Sequence, residues 1–409
     1  MIQKKYYNYI YLILLTSFFF LWDVRLLDLY IGDISFDNEL FKKIGSINLN
    51  IFIVLLLIPK FYTFYINKNF FNNQKHIKLL VFFVTIHFFV INFFYNNIIG
   101  NYEIATLFFF IISSIIYAHY RNYLAQNLEK ILILFFIILI PFAISSEALF
   151  NDGQCNNNFF FINVFSKIFN INLTNSIFLE NSHLGMMMGG VFFSSLFFIT
   201  ERKDNNKFFI IIFFISVIIL MFNYSTTFFV GYLISFIIFL IFFFKKISNK
   251  FWIISALFLF FNSILFFTDN SCVKKISQFN TKDVISKNTR KSINLTTYIY
   301  QRSAMVTLET LYHQPLGWGI DGMDNATVSF LDKKLIELEM ELLPLLHWPS
   351  NSLNLKDGLS NLFKLMNEFG YFILILFYFF IKYLFNLKKI NPYNIFIITL
   401  FITMLIRGA

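Results

Sequence analysis

Charged residues are scarce in this 409-residue sequence: Asp, Glu, Lys and Arg together make up 14%, whereas hydrophobic residues make up 57%. A soluble domain exposes more charge than this, so the composition excludes an ordinary water-soluble fold and indicates a polytopic membrane protein. The net charge of +10 is typical of Lys and Arg retained on the cytoplasmic side of a membrane protein. We therefore do not interpret it as affinity for nucleic acid.

Cysteine is nearly absent, with only Cys155 and Cys272 in the whole chain. Two cysteines without a nearby His cluster make a poor ligand set, and the acidic residues form no obvious metal-binding pair, so we expect no metal and no cofactor. Both cysteines fall in predicted outside segments, where an oxidising compartment would allow a disulfide between them. Two unpaired thiols are the alternative.

The N-terminus, "MIQKKYYNYIYLILLTSFFFLW", lacks the small-residue cleavage site of a signal peptide. Leu21, Trp22 and Asp23 follow the apolar run where small residues would be needed. We therefore predict a retained first transmembrane helix with a cytoplasmic N-terminus.

Long apolar runs are abundant, and the 62 Phe residues contribute heavily to them. We attribute the Phe excess to codon bias rather than to aromatic binding. A spanning helix needs roughly 20 mostly apolar residues, and the sequence predicts an all-α bundle of about 11 spans. The predicted spans are about 7–22, 47–65, 79–95, 104–119, 131–145, 184–200, 208–222, 228–244, 251–267, 371–386 and 395–408.

Lys and Arg are distributed unevenly among the connecting loops. The short loops near 96–103 and 223–227 contain neither residue, and 146–183 contains only Lys167. By the positive-inside rule these loops lie outside. The chain then divides into a nine-span membrane region (1–267), a large outside loop (268–370) and two last spans (371–409).

Three polar clusters are predicted on the outside face. In "FLENSHLGMMMGG", Glu180 and His183 precede a span and could act as general acid or base. The simpler interpretation is that Asn181 or Ser182 caps the helix while Glu180 is solvated.

The second cluster lies in the large loop, in "RSAMVTLETLYHQPLGWGIDGMD". The pattern predicts a helix that Pro315 stops, followed by a glycine-rich turn. Gly317 and Gly319 would allow close backbone approach to an anion, and Arg302 could hold phosphate through two parallel hydrogen bonds. No strand precedes the G-x-G, so it is not a dinucleotide-binding fingerprint.

The third cluster is "LLHWPSNSLNLKDGLSNLFKLMNEFG", which contains His347 and Glu368. His347 could titrate near neutral pH and act as a base; the alternative is a surface His on a Pro-bounded loop. Before it, "FLDKKLIELEMELLPLL" predicts an amphipathic helix that packs over the bundle or lies on the membrane. After it, "DGLSNLFKLMNEFGYF" predicts a helix leading into the tenth span.

Together these features resemble the bacterial O-antigen polymerase and O-antigen ligase family. "FLENSHLG" is similar to the family's F-x-E-P-S-H pattern, and "RSAMVTLETLYHQPLGWGIDG" to its R-x3-W and P-L-x-G-x-G elements. "SNLFKLMNEFGYF" resembles the H-N-x2-L-x4-E-x-G run that closes the large loop. The family's His-Asn pair is here Ser360–Asn361, which leaves His347 as the nearest His. The resemblance covers roughly 178–386.

The resemblance implies a GT-C-like glycosyltransferase in the bacterial inner membrane, acting at the periplasmic face on polyprenyl-diphosphate-linked glycans. Arginines would hold the donor's diphosphate without a metal, and a base would activate the acceptor hydroxyl. The expected partners are the lipid-linked donor and acceptor, membrane lipid and a chain-length regulator protein. The implied diphosphate residues are Arg302, Arg290, Arg407, Gly317 and Gly319, and the implied catalytic residues are His347, Glu180, His183 and Glu368, with His313 as a further candidate base.

Two alternatives stay open beside the polymerase. A ligase would move the finished glycan to lipid A-core or to protein and belongs to the same class of enzyme. A flippase for the same lipid-linked sugar belongs to a different class; transporters place ionisable groups at mid-membrane and contain internal repeats. The predicted spans carry few charges and no repeat is visible, which favours an enzyme.

Overall fold

The computed structural model describes residues 75–95, 101–146, 181–201, 207–222, 226–267, 295–330, 360–387 and 390–407. Every regular element within these ranges is helical, as the apolar runs predicted. Eleven α-helices are described: α1 Lys75–Tyr95, α2 Asn101–Ser146, α3 Asn181–Glu201, α4 Lys207–Phe222, α5 Thr226–Phe243, α6 Asn249–Phe267, α7 Leu295–His313, α8 Met323–Phe330, α9 Asn361–Phe369, α10 Ile373–Asn386 and α11 Pro392–Ile406.

The described residues of the last nine predicted spans are helical almost throughout, the last of them to Ile406. The helices differ from the prediction at one point. The loop predicted between 119 and 131 is helical and joins two predicted spans into α2. Asn127, with φ −112° and ψ 16°, interrupts the helical geometry there. The first two predicted spans lie outside the described residues.

Three described helical stretches are long and apolar enough to cross a membrane: Ile77–Phe94, Phe229–Lys246 and Asn361–Asn386. The two halves of α2, Glu103–Tyr117 and Arg121–Phe135, would make a fourth if they form one broken span. The count of eleven spans and a GT-C-like arrangement therefore stay predictions.

The chain divides into two compact units. Unit 1 includes Ile116–Phe267 and α11 up to Thr403, and unit 2 includes α1, α2 up to Ile115, α7 to α10 and the last turn of α11 from Met404. Helix α1 belongs to the same unit as α7 to α10, and the piece of unit 1 that begins at Ile116 ends with α6.

Unit 1 is built around stacked aromatic side chains. Phe193 stacks on Tyr232 with ring centroids 4.4 Å apart, and Phe192 stacks on Phe258 at 4.4 Å. Glycines let α11 approach closely: a Cβ on Gly190 would lie 2.9 Å from the Phe396 ring. Close approach over small residues is typical of helices in membranes.

Unit 2 has a smaller apolar core and more polar contacts between elements. Val84 and Phe88 of α1, Leu107 of α2 and Phe369 of α9 form one buried cluster. Val306 of α7 and Ala326 of α8 form another. The candidate functional residues that the structure describes belong mainly to this unit.

Candidate functional site

The predicted glycine-rich turn follows α7 as expected. The helix ends at His313, two residues before Pro315, because proline disfavours helical geometry in the residue before it. The turn, Gln314–Gly322, then takes positive φ at alternate positions: 82° at Gly317, 88° at Gly319 and 59° at Asp321. Asp tolerates this left-handed region better than most residues that carry a side chain.

This turn docks on the C-terminal end of α9 through the backbone. Trp318 N donates to the Asn367 carbonyl and Gly319 N to the Glu368 carbonyl, each at 2.9 Å. In return, Tyr371 N donates to the Pro315 carbonyl at 2.9 Å. Carbonyl groups at the end of a helix lack partners within it, and the turn supplies amide donors to those of α9.

Two glycines make this docking sterically feasible. Gly317 and Gly370 both have positive φ, and each faces the other segment. A Cβ on Gly370 would overlap the Pro315 carbonyl oxygen, and a Cβ on Gly317 would overlap the Glu368 carbonyl oxygen. Only residues without a Cβ fit such close backbone contact.

The same contacts revise the predicted use of the glycine amides. Gly317 N donates to the Gln314 carbonyl at 2.8 Å, and Gly319 N donates to Glu368. Both amides that the sequence analysis assigned to a diphosphate therefore already donate within the protein. The acidic side chain that the turn does hold is internal: Asp321 N donates to Glu368 Oε1 at 2.9 Å.

A small charged cluster surrounds that contact. Lys364 Nζ lies 3.3 Å from Asp321 Oδ1 and 3.8 Å from Glu368 Oε1. Thr106 Oγ1 of α2 donates to Asp321 Oδ2 at 3.1 Å. Glu368 itself is only 4% exposed. A buried carboxyl group that accepts from a backbone amide and lies beside an ammonium group is placed to fix the turn on α9.

Asn367 connects three elements of unit 2. Its Nδ2 donates to Thr307 Oγ1 at 2.7 Å and to the Phe363 carbonyl at 2.9 Å, and its Oδ1 accepts from Thr310 Oγ1. Its carbonyl accepts from Trp318 N. Because Asn367 is fully buried and its polar groups are engaged, it fixes the register of α7 against α9.

Arg302 and Arg407, two of the predicted diphosphate residues, are both buried, at 4% and 6% exposure. Tyr300, two residues before Arg302, donates its hydroxyl to the Ile406 carbonyl at 2.6 Å. Asn361 Nδ2 donates to the Arg407 carbonyl at 3.2 Å. Unit 2 therefore joins the segments that carry both arginines.

Ser360 and Asn361, which stand where the family has His-Asn, cap the end of α11. Ser360 Oγ donates to the Leu405 carbonyl at 3.1 Å, and Asn361 Nδ2 also donates to the Met404 carbonyl at 2.9 Å. Together with the bond from Tyr300 to Ile406, these contacts give a side-chain donor to each carbonyl of residues 404 to 407. This capping fixes the backbone from which the Arg407 side chain extends.

His87 of α1 reaches the turn from a distant part of the chain. Its Nε2 donates to the Leu316 carbonyl at 2.9 Å. The ring is 3% exposed and lies against Phe369, at 4.7 Å between centroids, and Phe372, at 5.5 Å. His87 thus gives the turn an attachment to α1 in addition to its backbone bonds to α9.

Other predicted residues are placed differently. His313 is exposed and pairs with Glu309 on its own helix at 3.3 Å. The backbone of His183 is in α3, but its side chain is outside the described set. The predictions for Glu180, Arg290, His347, Cys155 and Cys272 all fall outside the described residues.

Sequence reasoning missed His87, Asp321, Lys364 and Asn367. The sequence contained an indication for two of them. Lys364 stands four residues before Glu368 on a predicted helix, and His87 is an ionisable residue inside a predicted span. Asp321 and Asn367 had none, because their roles depend on contacts with distant segments.

No group of three or more His, Cys, Asp or Glu that could hold a metal ion occurs among the residues that the structure describes. Comparison with protein-family models, with curated proteins and with solved structures found no match to this chain.

Proposed function

We propose that this protein is a membrane glycosyltransferase that polymerises polyprenyl-diphosphate-linked oligosaccharide units at the periplasmic face of a bacterial inner membrane. The donor and the acceptor are both lipid-linked glycans in this proposal. The transfer breaks the bond between the donor sugar and its diphosphate and forms a glycosidic bond to an acceptor hydroxyl, whose proton passes to a base.

The observation that supports the proposal best is the pair of buried arginines in unit 2. Arg302 and Arg407 belong to segments joined by the Tyr300–Ile406 and Asn361–Arg407 hydrogen bonds. Each arginine carries a permanent positive charge, and an Arg side chain can hold phosphate oxygens through two parallel hydrogen bonds. Two such groups suit a diphosphate leaving group, whose developing charge they would stabilise without a metal.

The remaining predicted roles follow from this arrangement. Glu368 and the turn act as positioning elements, because Glu368 Oε1 is held by Asp321 N. The acceptor's base is then one of His347, Glu180 and His183. Gly317 and Gly319 contribute close packing rather than anion binding.

Reconstitution in vesicles with polyprenyl-diphosphate-linked repeat units tests the proposal. The wild-type protein should give a ladder of longer glycans. Arg302→Ala should lower the rate at least about a hundredfold, because it removes stabilisation of developing charge. Arg302→Lys should restore only part of the activity, because Lys cannot form the two parallel bonds.

Arg121→Ala is the matched control, since Arg121 lies in unit 1 and is predicted on the cytoplasmic side. It should leave the ladder unchanged. A ladder that persists in Arg302→Ala, with the protein at wild-type levels in the membrane, would contradict the assignment of Arg302.

A further inference from the structure

Helix α1 carries an exposed apolar stripe along its whole length. Its members lie three or four residues apart, and their exposure runs from 43% to 80%. Apart from His87, Lys78 is the only ionisable residue between Ile77 and Phe94. A helix of this length and composition in water would expose a large apolar area, so its natural solvent is lipid. The stripe consists of Leu79, Phe82, Ile86, Phe89 and Phe93.

The opposite face of the same helix contacts the glycine-rich turn. His87 bonds the Leu316 carbonyl, and a Cβ on Gly319 would lie 3.1 Å from Ile91 Cγ2. Ile320 packs on the buried cluster that contains Val84. The turn therefore lies beside the second half of α1, not beyond its end.

The depth of this contact follows from helix geometry. An α-helix rises about 1.5 Å per residue, so Ile91 lies about 6 Å and His87 about 12 Å from the Tyr95 end, four and eight residues away. Ile86 and Phe89, exposed at 43% and 59%, lie at the same height on the other face. The turn is thus level with residues that face lipid.

The helical stretch that contains α9 and α10 indicates the same depth for the turn. Asn361–Asn386 is an apolar helical stretch of 26 residues. The amide of Tyr371 donates to the Pro315 carbonyl, and the Tyr371 side chain is 53% exposed. Further along the helix, Leu374 and Tyr378 continue this exposed face, at 60% and 58% exposure. The turn meets this stretch inside its length, at 367–371.

The backbone of the turn is suited to a membrane interior. Non-helical backbone is tolerated at membrane depth only where protein satisfies its polar groups. The amides of Gly317, Trp318, Gly319, Asp321 and Gly322 all donate within the protein. The carbonyls of residues 314, 315, 316 and 319 all accept.

We propose that Gln314–Gly322 is a re-entrant turn that enters the membrane from the outer side, and that the exposed faces of α1 and α10 contact lipid acyl chains at its level. The Asp321–Lys364–Glu368 cluster then lies below the membrane surface, and 268–370 is not wholly an outside loop. This inference goes beyond the proposed function, because it holds for any substrate and requires no activity.

Spin-label depth measurement in phosphatidylethanolamine and phosphatidylglycerol vesicles tests the turn directly. Cys155 and Cys272 are replaced by Ser, and single labels are placed through Pro315→Cys and, as a ruler along α1, through Phe82→Cys, Phe89→Cys and Phe93→Cys. The ratio of oxygen to nickel-chelate accessibility rises with depth. At position 315 it should exceed the ratio at 93 and match that at 89. A ratio at 315 below that at 93 would overturn the proposal.

A second measurement leaves the turn unaltered, in case Pro315→Cys does not fold. Trp22, Trp252 and Trp348 are changed to Phe, which leaves Trp318 as the only fluorophore of its kind. Lipids brominated on their acyl chains should quench Trp318, whereas aqueous iodide should not. Quenching by iodide alone would place the turn in water and reject the re-entrant arrangement. Neither result depends on glycosyl transfer.

Discussion

Both compact units contain hydroxyl groups that bond their own helix and hydroxyl groups that bond another helix, but the described hydroxyls that donate to an Asp or Asn side chain on another element belong to unit 2. In unit 1, Ser194, Ser195 and Ser235 donate to carbonyls three or four residues earlier on their own helices. In unit 2, Thr106 and Thr310 donate to side chains on other elements. A hydroxyl bonded to its own helix leaves neighbouring helices free to slide, whereas a bond between elements fixes one arrangement.

The two units also use glycine differently. In unit 1, Gly190 lies in a helix, and a Cβ there would lie 2.9 Å from the Phe396 ring and 3.1 Å from the Phe396 carbonyl oxygen. In unit 2, Gly317 and Gly370 have positive φ and meet backbone. A side chain can shift to accept a methyl group, but two hydrogen-bonded backbones cannot. Among the described glycines, Gly317 and Gly370 therefore tolerate an added methyl group less well than Gly190 does.

The largest expected effect comes from Gly370→Ala. A Cβ at φ 54° adds backbone strain and overlaps the Pro315 carbonyl, so we expect a loss of about 3 kcal/mol or more of unfolding free energy. Gly190→Ala, the control in unit 1, should cost less, about 1–2 kcal/mol, because its contacts with Phe396 at 2.9–3.1 Å are looser and Ala favours a helix. Thermal unfolding in detergent measures both. Equal losses would remove the distinction between the units.

Asn367→Leu should have the next largest effect. It keeps the side-chain size but leaves the Thr307 and Thr310 hydroxyls without their shared partner, which should cost about 2–4 kcal/mol. Ser194→Ala in unit 1 removes only a bond within one helix and should change stability by less than about 0.5 kcal/mol. The same unfolding assay compares them. A small effect of Asn367→Leu would show that the hydroxyl network does not fix the helices.

The smallest effect is expected at His87, where two substitutions separate hydrogen bonding from packing. His87→Phe fills the aromatic surroundings but loses the bond to the Leu316 carbonyl, so the amides of Trp318 and Gly319 should exchange about fivefold faster, equivalent to about 1 kcal/mol. His87→Gln can still donate through its Nε2 and should restore most of the protection. Identical exchange in the two variants would mean that the bond does not hold the turn.

The sequence predicted the helices of this protein well, because long apolar runs have few alternatives in a membrane. It also predicted that Pro315 ends α7 and that a turn follows. It did not predict that the amides of Gly317 and Gly319 donate within the protein, since spacing shows that backbones can approach but does not identify what approaches. In this chain the approaching group is the end of α9.

The sequence alone therefore determined that the described ranges are helical and include apolar, membrane-length segments, because composition and the length of an apolar run are local properties. Tertiary structure decided which polar residues meet. His87 and Leu316 are 229 positions apart, and Thr106 and Asp321 are 215 apart. No local pattern encodes such pairs, because hydrogen-bond partners are selected by distance and angle after the helices have packed.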